Sequence, residues 1–197
     1  MSKLNINNLT NSKTKIEFEK LKKICFLFSK DLTATQTANN LNISRQTINS
    51  YYKIFRELLF NQLIIIDKNQ ADLTISYIKI NQDYFYYLEN NLVLIENNNS
   101  FFHEIEYFIK NYLHTTFLRN KKLTKVKILQ NSHKKDFLIL GFYSSSQEID
   151  EFVNFRLKKF RGINKKNIQL HIKESLFRFH NSQSEIYNNL IRIFNLM

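Results

Sequence analysis

Six residues between positions 45 and 53 have side chains suited to one kind of chemistry: Arg45, Gln46, Thr47, Asn49, Ser50 and Lys53. An arginine fork pairs with guanine, a glutamine or asparagine amide pairs bidentately with adenine, and hydroxyls and ammonium groups suit phosphate oxygens. On a helix, positions 45, 49 and 53 lie beside positions 46 and 50, so one polyanionic partner can meet them all. Arg45, Gln46 and Asn49 are the expected base-contacting residues. The competing reading is a solvated polar face on a three-helix module that docks another protein.

Other reactive side chains are scattered. Cys25 is a lone cysteine among Ile24, Phe26 and Leu27, with no second cysteine for a disulfide and no cluster for zinc, so it is expected to be a small buried apolar residue. His103, His114, His133, His171 and His180 show no metal-ligand spacing and are expected in packing or phosphate-facing roles.

The elements around positions 45 to 53 can be read from caps and periodicity. Ile16, Phe18, Leu21, Ile24, Cys25, Leu27 and Phe28 recur at helical spacing, which predicts a helix from Lys15 to about Ser29. Thr33-Ala34-Thr35-Gln36 has the form of a capping box opening a short helix to about Asn40. After the connection Asn40-Leu41-Asn42-Ile43, Ser44 is a good N-cap for a helix to Phe60. Ala38, Leu41, Ile43, Ile48, Tyr51, Ile54, Phe55 and Leu58 are its expected core side. These are the parts of a helix-turn-helix, whose second helix enters the major groove by its N-terminal end.

Charge placement agrees. The 197 residues carry a net +12, which favours a polyanionic partner. Residues 1–62 hold ten Lys/Arg against four Asp/Glu, residues 63–110 three against seven, and residues 111–197 sixteen against six. An A/T-rich codon bias would spread lysine evenly, whereas two basic ends flank an acidic middle. Phosphate contacts are expected from Lys53, Lys121, Lys122, Lys125, Lys158, Lys159, Lys165 and Lys166. The longest apolar runs, such as Leu63 to Ile66, fall far short of the roughly 20 residues of a spanning helix. No apolar segment follows a basic start, so a cytoplasmic, nucleoid-associated protein without a membrane partner is expected.

Beyond Gln62 the pattern becomes β-like, with strands expected at Leu63 to Ile66, Leu73 to Ile80 and Tyr84 to Ile95, the last two antiparallel neighbours. An amphipathic helix from Phe101 to about His114, strands at Leu123 to Leu129 and Phe137 to Tyr143, a helix from Gln147 to about Phe160, and one or two terminal helices follow. The expected division is a tail over 1–14, a helix-turn-helix over 15–62 and a second domain over 63–197.

Two stretches resemble one family. Lys23-Ile24-Cys25-Phe26-Leu27-Phe28-Ser29-Lys30 through Ala38, with Ser44 through Glu57, is similar to the start of bacterial insertion-sequence DDE transposases of the fifteen-ninety-five type. Phe155-Arg156-Leu157-Lys158-Lys159-Phe160-Arg161-Gly162-Ile163, followed by Leu170 to Asn181, is similar to their end. The resemblance implies a reduced RNase H-like α/β domain with a helical C-terminal end behind the helix-turn-helix, α+β or α/β in class. It further implies a site of two aspartates and a glutamate holding divalent metals. The family's Asp-Glu-Ser-Tyr-Phe motif falls on Asn81-Gln82-Asp83-Tyr84-Phe85, its glutamate falls on Gln147, and the second aspartate has no motif to anchor it.

Neutral amides cannot hold a pair of dications. Asp83 is two strand positions from Asn81, about 6.6 Å, and Glu148 is about 100° round a helix from Gln147. The reading from sequence is therefore a transposase-like double-stranded-DNA-binding protein without strand transfer or cofactor, as a monomer or homo-oligomer. The alternatives are an active Mg²⁺ or Mn²⁺ enzyme with a displaced site of Asp83, Glu148 and an unidentified carboxylate, and a helix-turn-helix transcriptional regulator.

Overall fold

The computed structural model describes residues 16–60, 72–89, 92–95, 100–131, 136–144, 148–160, 163 and 167–196. They divide into two compact units, one of Met1–Asn61 with His180–Met197 and one of Gln62–Phe179.

In the first unit, α1 (Phe18–Ser29), α2 (Ala34–Leu41) and α3 (Arg45–Phe60) are joined by a C-terminal helix, named α8 here because of its place in the chain (Gln183–Ile193). In α1, Ile24, Cys25 and Phe28 recur at i, i+1 and i+4 and face the core. The helix stops where Asp31 takes a left-handed conformation (φ 58°) and Leu32 N–H reaches back to the Leu27 carbonyl.

The Thr33–Gln36 capping box forms in both directions at the start of α2. Asn42, again left-handed (φ 55°), ends α2, with the Asn42 and Ile43 N–H groups both donating to the Ala38 carbonyl. Asparagine tolerates this conformation better than most residues. Phe28 packs edge-on against Tyr52 (4.8 Å) and Phe55 (5.3 Å). From α8 and its exit, Ile186, Leu190 and Leu196 are buried and Phe194 meets Phe55 at 5.4 Å.

Two expectations need correction here. The terminal residues expected within a 63–197 domain end in a helix that packs on α1 and α3. The buried side of α3 is Ile48, Tyr52, Phe55, Arg56, Leu59 and Phe60, whereas Tyr51, Ile54 and Leu58 are only half-buried. The added α8 draws that side round, and the Tyr52 hydroxyl finds a buried partner in Thr37.

The second unit is built on a sheet of β1 (Asp72–Ile80), β2 (Asp83–Leu88), β3 (Val93–Leu94), β4 (Lys125–Asn131) and β5 (Asp136–Tyr143), in the order β3-β2-β1-β4-β5. Every neighbouring pair is antiparallel. The architecture is therefore α+β; the α/β alternative needs parallel strands joined by crossover helices. The strand expected over Tyr84 to Ile95 is two strands, because Leu92 is left-handed (φ 46°) and its N–H turns back to the Glu89 carbonyl. The expected strand at Leu63 to Ile66 lies outside the described residues.

One sheet face carries Leu73, Ile75, Tyr86, Leu88, Val126 and Ile128 under Ile105, Ile109, Leu113 and Phe117. Those four come from one helical segment, α4 (Ser100–Phe108), a π-helical turn (Ile109–Leu113) and α5 (His114–Arg119). Side chains repeating every four residues drift by about 40° per step on an α-helix. The wider π turn takes up that drift and keeps the row on the sheet. On the opposite face, α6 (Glu148–Leu157) and α7 (Ile168–His180) cover Ile78, Ile80, Tyr87 and Leu94 with Val153, Ile172 and Leu176.

A buried ionic knot joins α6 to α7. Arg156, 1% exposed, donates to Glu174 (2.5 Å) and Ser175 (2.8 Å), and Arg178 donates to the same Glu174 oxygen at 2.8 Å. Among the described residues no helix is long and apolar enough to cross a membrane.

Candidate nucleic-acid interface

The N-terminus of α3 is built by its cap. Ser44 Oγ accepts from Thr47 N–H (3.1 Å) and lies 2.8 Å from Thr47 Oγ1, while the Ser44 carbonyl takes the first helical bond, from Ile48 N–H. With Ile48, Tyr52 and Phe55 turned into the core, Arg45, Gln46, Asn49, Ser50 and Lys53 are exposed, and Thr47 is half-buried beside its cap.

Some of this polar face is already engaged. Ser50 Oγ donates to the Gln46 carbonyl at 3.1 Å, and Lys53 stands 3.8 Å from Glu57 in an exposed i,i+4 pair. Among the described residues, no hydrogen bond or ion pair holds the side chains of Arg45, Gln46 or Asn49. Helix N-terminal polarity adds attraction for phosphate at this end.

The basic residues of the second unit are distributed unevenly. Lys121 and Lys122 are exposed in the turn between α5 and β4, and Lys158 and Lys159 are exposed just after α6. Lys125 differs, since its ammonium lies 3.2 Å from Glu89 with both side chains only 26% exposed. Lys165 and Lys166 lie outside the described residues, as does Gln147.

Asn81 and Gln82 form the two-residue hairpin between β1 and β2, flanked by the Ile80–Asp83 pair. Asn81 has φ 56°. A first hairpin residue with positive φ favours asparagine over most other residues, so the backbone gives Asn81 a role of its own. Asp83 and Glu148 are both exposed and open β2 and α6 respectively. Among the described residues no group of three His, Cys, Asp or Glu side chains is placed to hold a metal ion. The donors at the matched positions do not fit a paired-metal site, because Asn81 brings no charge.

The carboxylate that does meet β1 is Asp150, which sequence reasoning missed. It accepts from Lys79 N–H at 3.3 Å, and Asn154, one turn on, donates to the Lys79 carbonyl at 3.3 Å. Pairing with β4 reaches only to Ser76, so these side chains satisfy the strand where no neighbour does. Burial raises the Asp150 pKa. Only the Asp150/Asn154 spacing of four, on a helix beside a strand, hinted at this role.

Cys25 is buried, and burial pushes its thiol pKa up to about 12, leaving it protonated and unreactive. His114 Nδ1 lies 3.1 Å from the Tyr86 hydroxyl, and His103 lies 3.9 Å from Glu106. His133 lies outside the described residues. No protein-family model, curated protein or solved structure matches the chain.

Proposed function

We propose that this chain binds double-stranded DNA through α2 and α3 acting as a helix-turn-helix, with α3 in the major groove. The observation that carries this reading is the capped N-terminal end of α3. It offers Arg45, Gln46 and Asn49 to solvent without partners among the described residues, above a rear face packed into the core. An unpaired guanidinium and two unpaired amides are what base-edge recognition requires. Lys53, Lys121, Lys122, Lys158 and Lys159 supply phosphate contacts and salt-dependent affinity.

The further part of the proposal is descent from an insertion-sequence transposase with loss of strand transfer. It rests on the two similar stretches and on the neutral residues at the matched acidic positions. A nucleoid-associated location follows from the DNA reading.

The test is enrichment from a randomised duplex library with the full-length chain, followed by affinity measurements across salt. A recovered motif bound more tightly than a scrambled duplex, with log Kd rising linearly with log salt, is the expected result. A chain that enriches no motif overturns the DNA reading. In Mg²⁺ or Mn²⁺ the recovered duplex should stay intact; cleavage abolished by Asp83→Asn or Glu148→Gln would overturn the loss of chemistry.

A further inference from the structure

A buried polar link joins α2 and α3 in the first unit. Thr37 Oγ1 of α2 and the Tyr52 hydroxyl of α3 lie 2.6 Å apart, with Thr37 fully buried and Tyr52 1% exposed. Tyr52 is wedged on its other sides by the Phe28 ring at 4.8 Å and by the Arg56 guanidinium 5.8 Å from its centroid. A short hydroxyl pair has a narrow distance window and so resists small rotations between the two helices.

Its position along α3 matters. Tyr52 is three residues from Asn49 and seven from Arg45, about 4.5 and 10.5 Å along the axis. A tilt of about 5° at Tyr52 would move the Arg45 end by about 0.9 Å, larger than the roughly 0.5 Å window of a good hydrogen bond.

We propose that the Thr37–Tyr52 hydroxyl pair is the positioning element that sets the angle at which α3 presents Arg45, Gln46 and Asn49 to base edges. This rests on the DNA reading above. Neither residue touches DNA; both act through the backbone of α3. Losing the pair therefore reduces discrimination between sequences more than affinity for DNA in general.

The informative variant is the double substitution T37V/Y52F. Each single change breaks the pair and leaves one of its two hydroxyls in place, whereas removing both together costs folding less. Full-length parent, T37V/Y52F and the conservative T37S are compared on the duplex recovered by the parent and on a scrambled duplex at one salt concentration. The expected result is a double variant that melts near the parent, with a Kd raised about tenfold on the recovered duplex and less than twofold on the scrambled one. T37S, which keeps a hydroxyl, binds like the parent. Parent-like binding of both duplexes by T37V/Y52F, or equal losses on both, would overturn the positioning role and leave the DNA reading standing. Failure of the parent itself to enrich a duplex would instead overturn the DNA reading, and the positioning role with it.

Discussion

Leu190→Ala, more than 130 residues downstream of the α3 reading face, should cripple DNA binding. Leu190 is fully buried on α8, which packs against α1 and α3. Truncating a buried leucine to alanine costs about 2 to 5 kcal/mol, the upper values where the cavity cannot collapse. Phe55 and Phe194 meet edge-on at 5.4 Å in the same unit, and rigid rings of this kind limit collapse, so a cost above about 3 kcal/mol is expected. A unit of Met1–Asn61 with His180–Met197 is stabilised by only about 4 to 12 kcal/mol at 0.05 to 0.15 kcal/mol per residue. At about 4 to 8 °C per kcal/mol for a unit this size, its melting midpoint should fall by more than about 12 °C. Amide hydrogen exchange with peptide resolution reads the two units separately. The expected result is accelerated exchange in α1 and α3 with the sheet unchanged, and weakened binding to every duplex. An unchanged midpoint, or exchange that quickens in β1 and β4 and not in α1, would refute the assignment of α8 to this unit.

Two further outcomes follow from the sheet unit. Glu174→Ala leaves Arg156 and Arg178 without their shared carboxylate in the interior, and should destabilise that unit by about 3 to 5 kcal/mol, checked by chemical denaturation. DNA affinity of the helical unit should remain. Asp150 has a folded pKa raised by burial, so it binds more protons folded than unfolded, and its contribution falls as pH rises from the ordinary aspartate range through the raised value. Asp150→Asn keeps an acceptor for Lys79 N–H and removes this slope; melting curves against pH should show the variant at least as stable as the parent at pH 7, with the gap closing near pH 3.

Local signals carried the helical unit and β1 well. The Thr33–Gln36 box, the Ser44 cap and the alternation of Leu73 to Ile80 are effects within a few residues, and each element forms where its signal lies. Long-range choices left no such trace. That the last helix would join the first three depends on Tyr187 meeting Phe26 of α1 and Phe194 meeting Phe55 of α3, and any amphipathic helix of that length carries the same pattern. Tyr52 has no place on the expected core side, and its burial shows only once Thr37 lies opposite it.

At the second unit, Asn81 suits a backbone angle that composition does not display. The role of Asp150 depended on β4 stopping at Lys125 opposite Ser76, which is a matter of register. Leu92 adopts a conformation unusual for leucine, and strand propensity accordingly ran through it without a break.

The most direct measurement is the ratio of Kd on the scrambled duplex to Kd on the recovered duplex, for the parent and for Arg45→Ala/Asn49→Ala at the same salt. Each lost base contact should remove about 1 to 3 kcal/mol of discrimination, so the ratio should fall by about 30-fold or more while the scrambled duplex is bound almost as before. Equal weakening on both duplexes would contradict base reading by α3, and an unchanged Kd on both would place the interface on another surface.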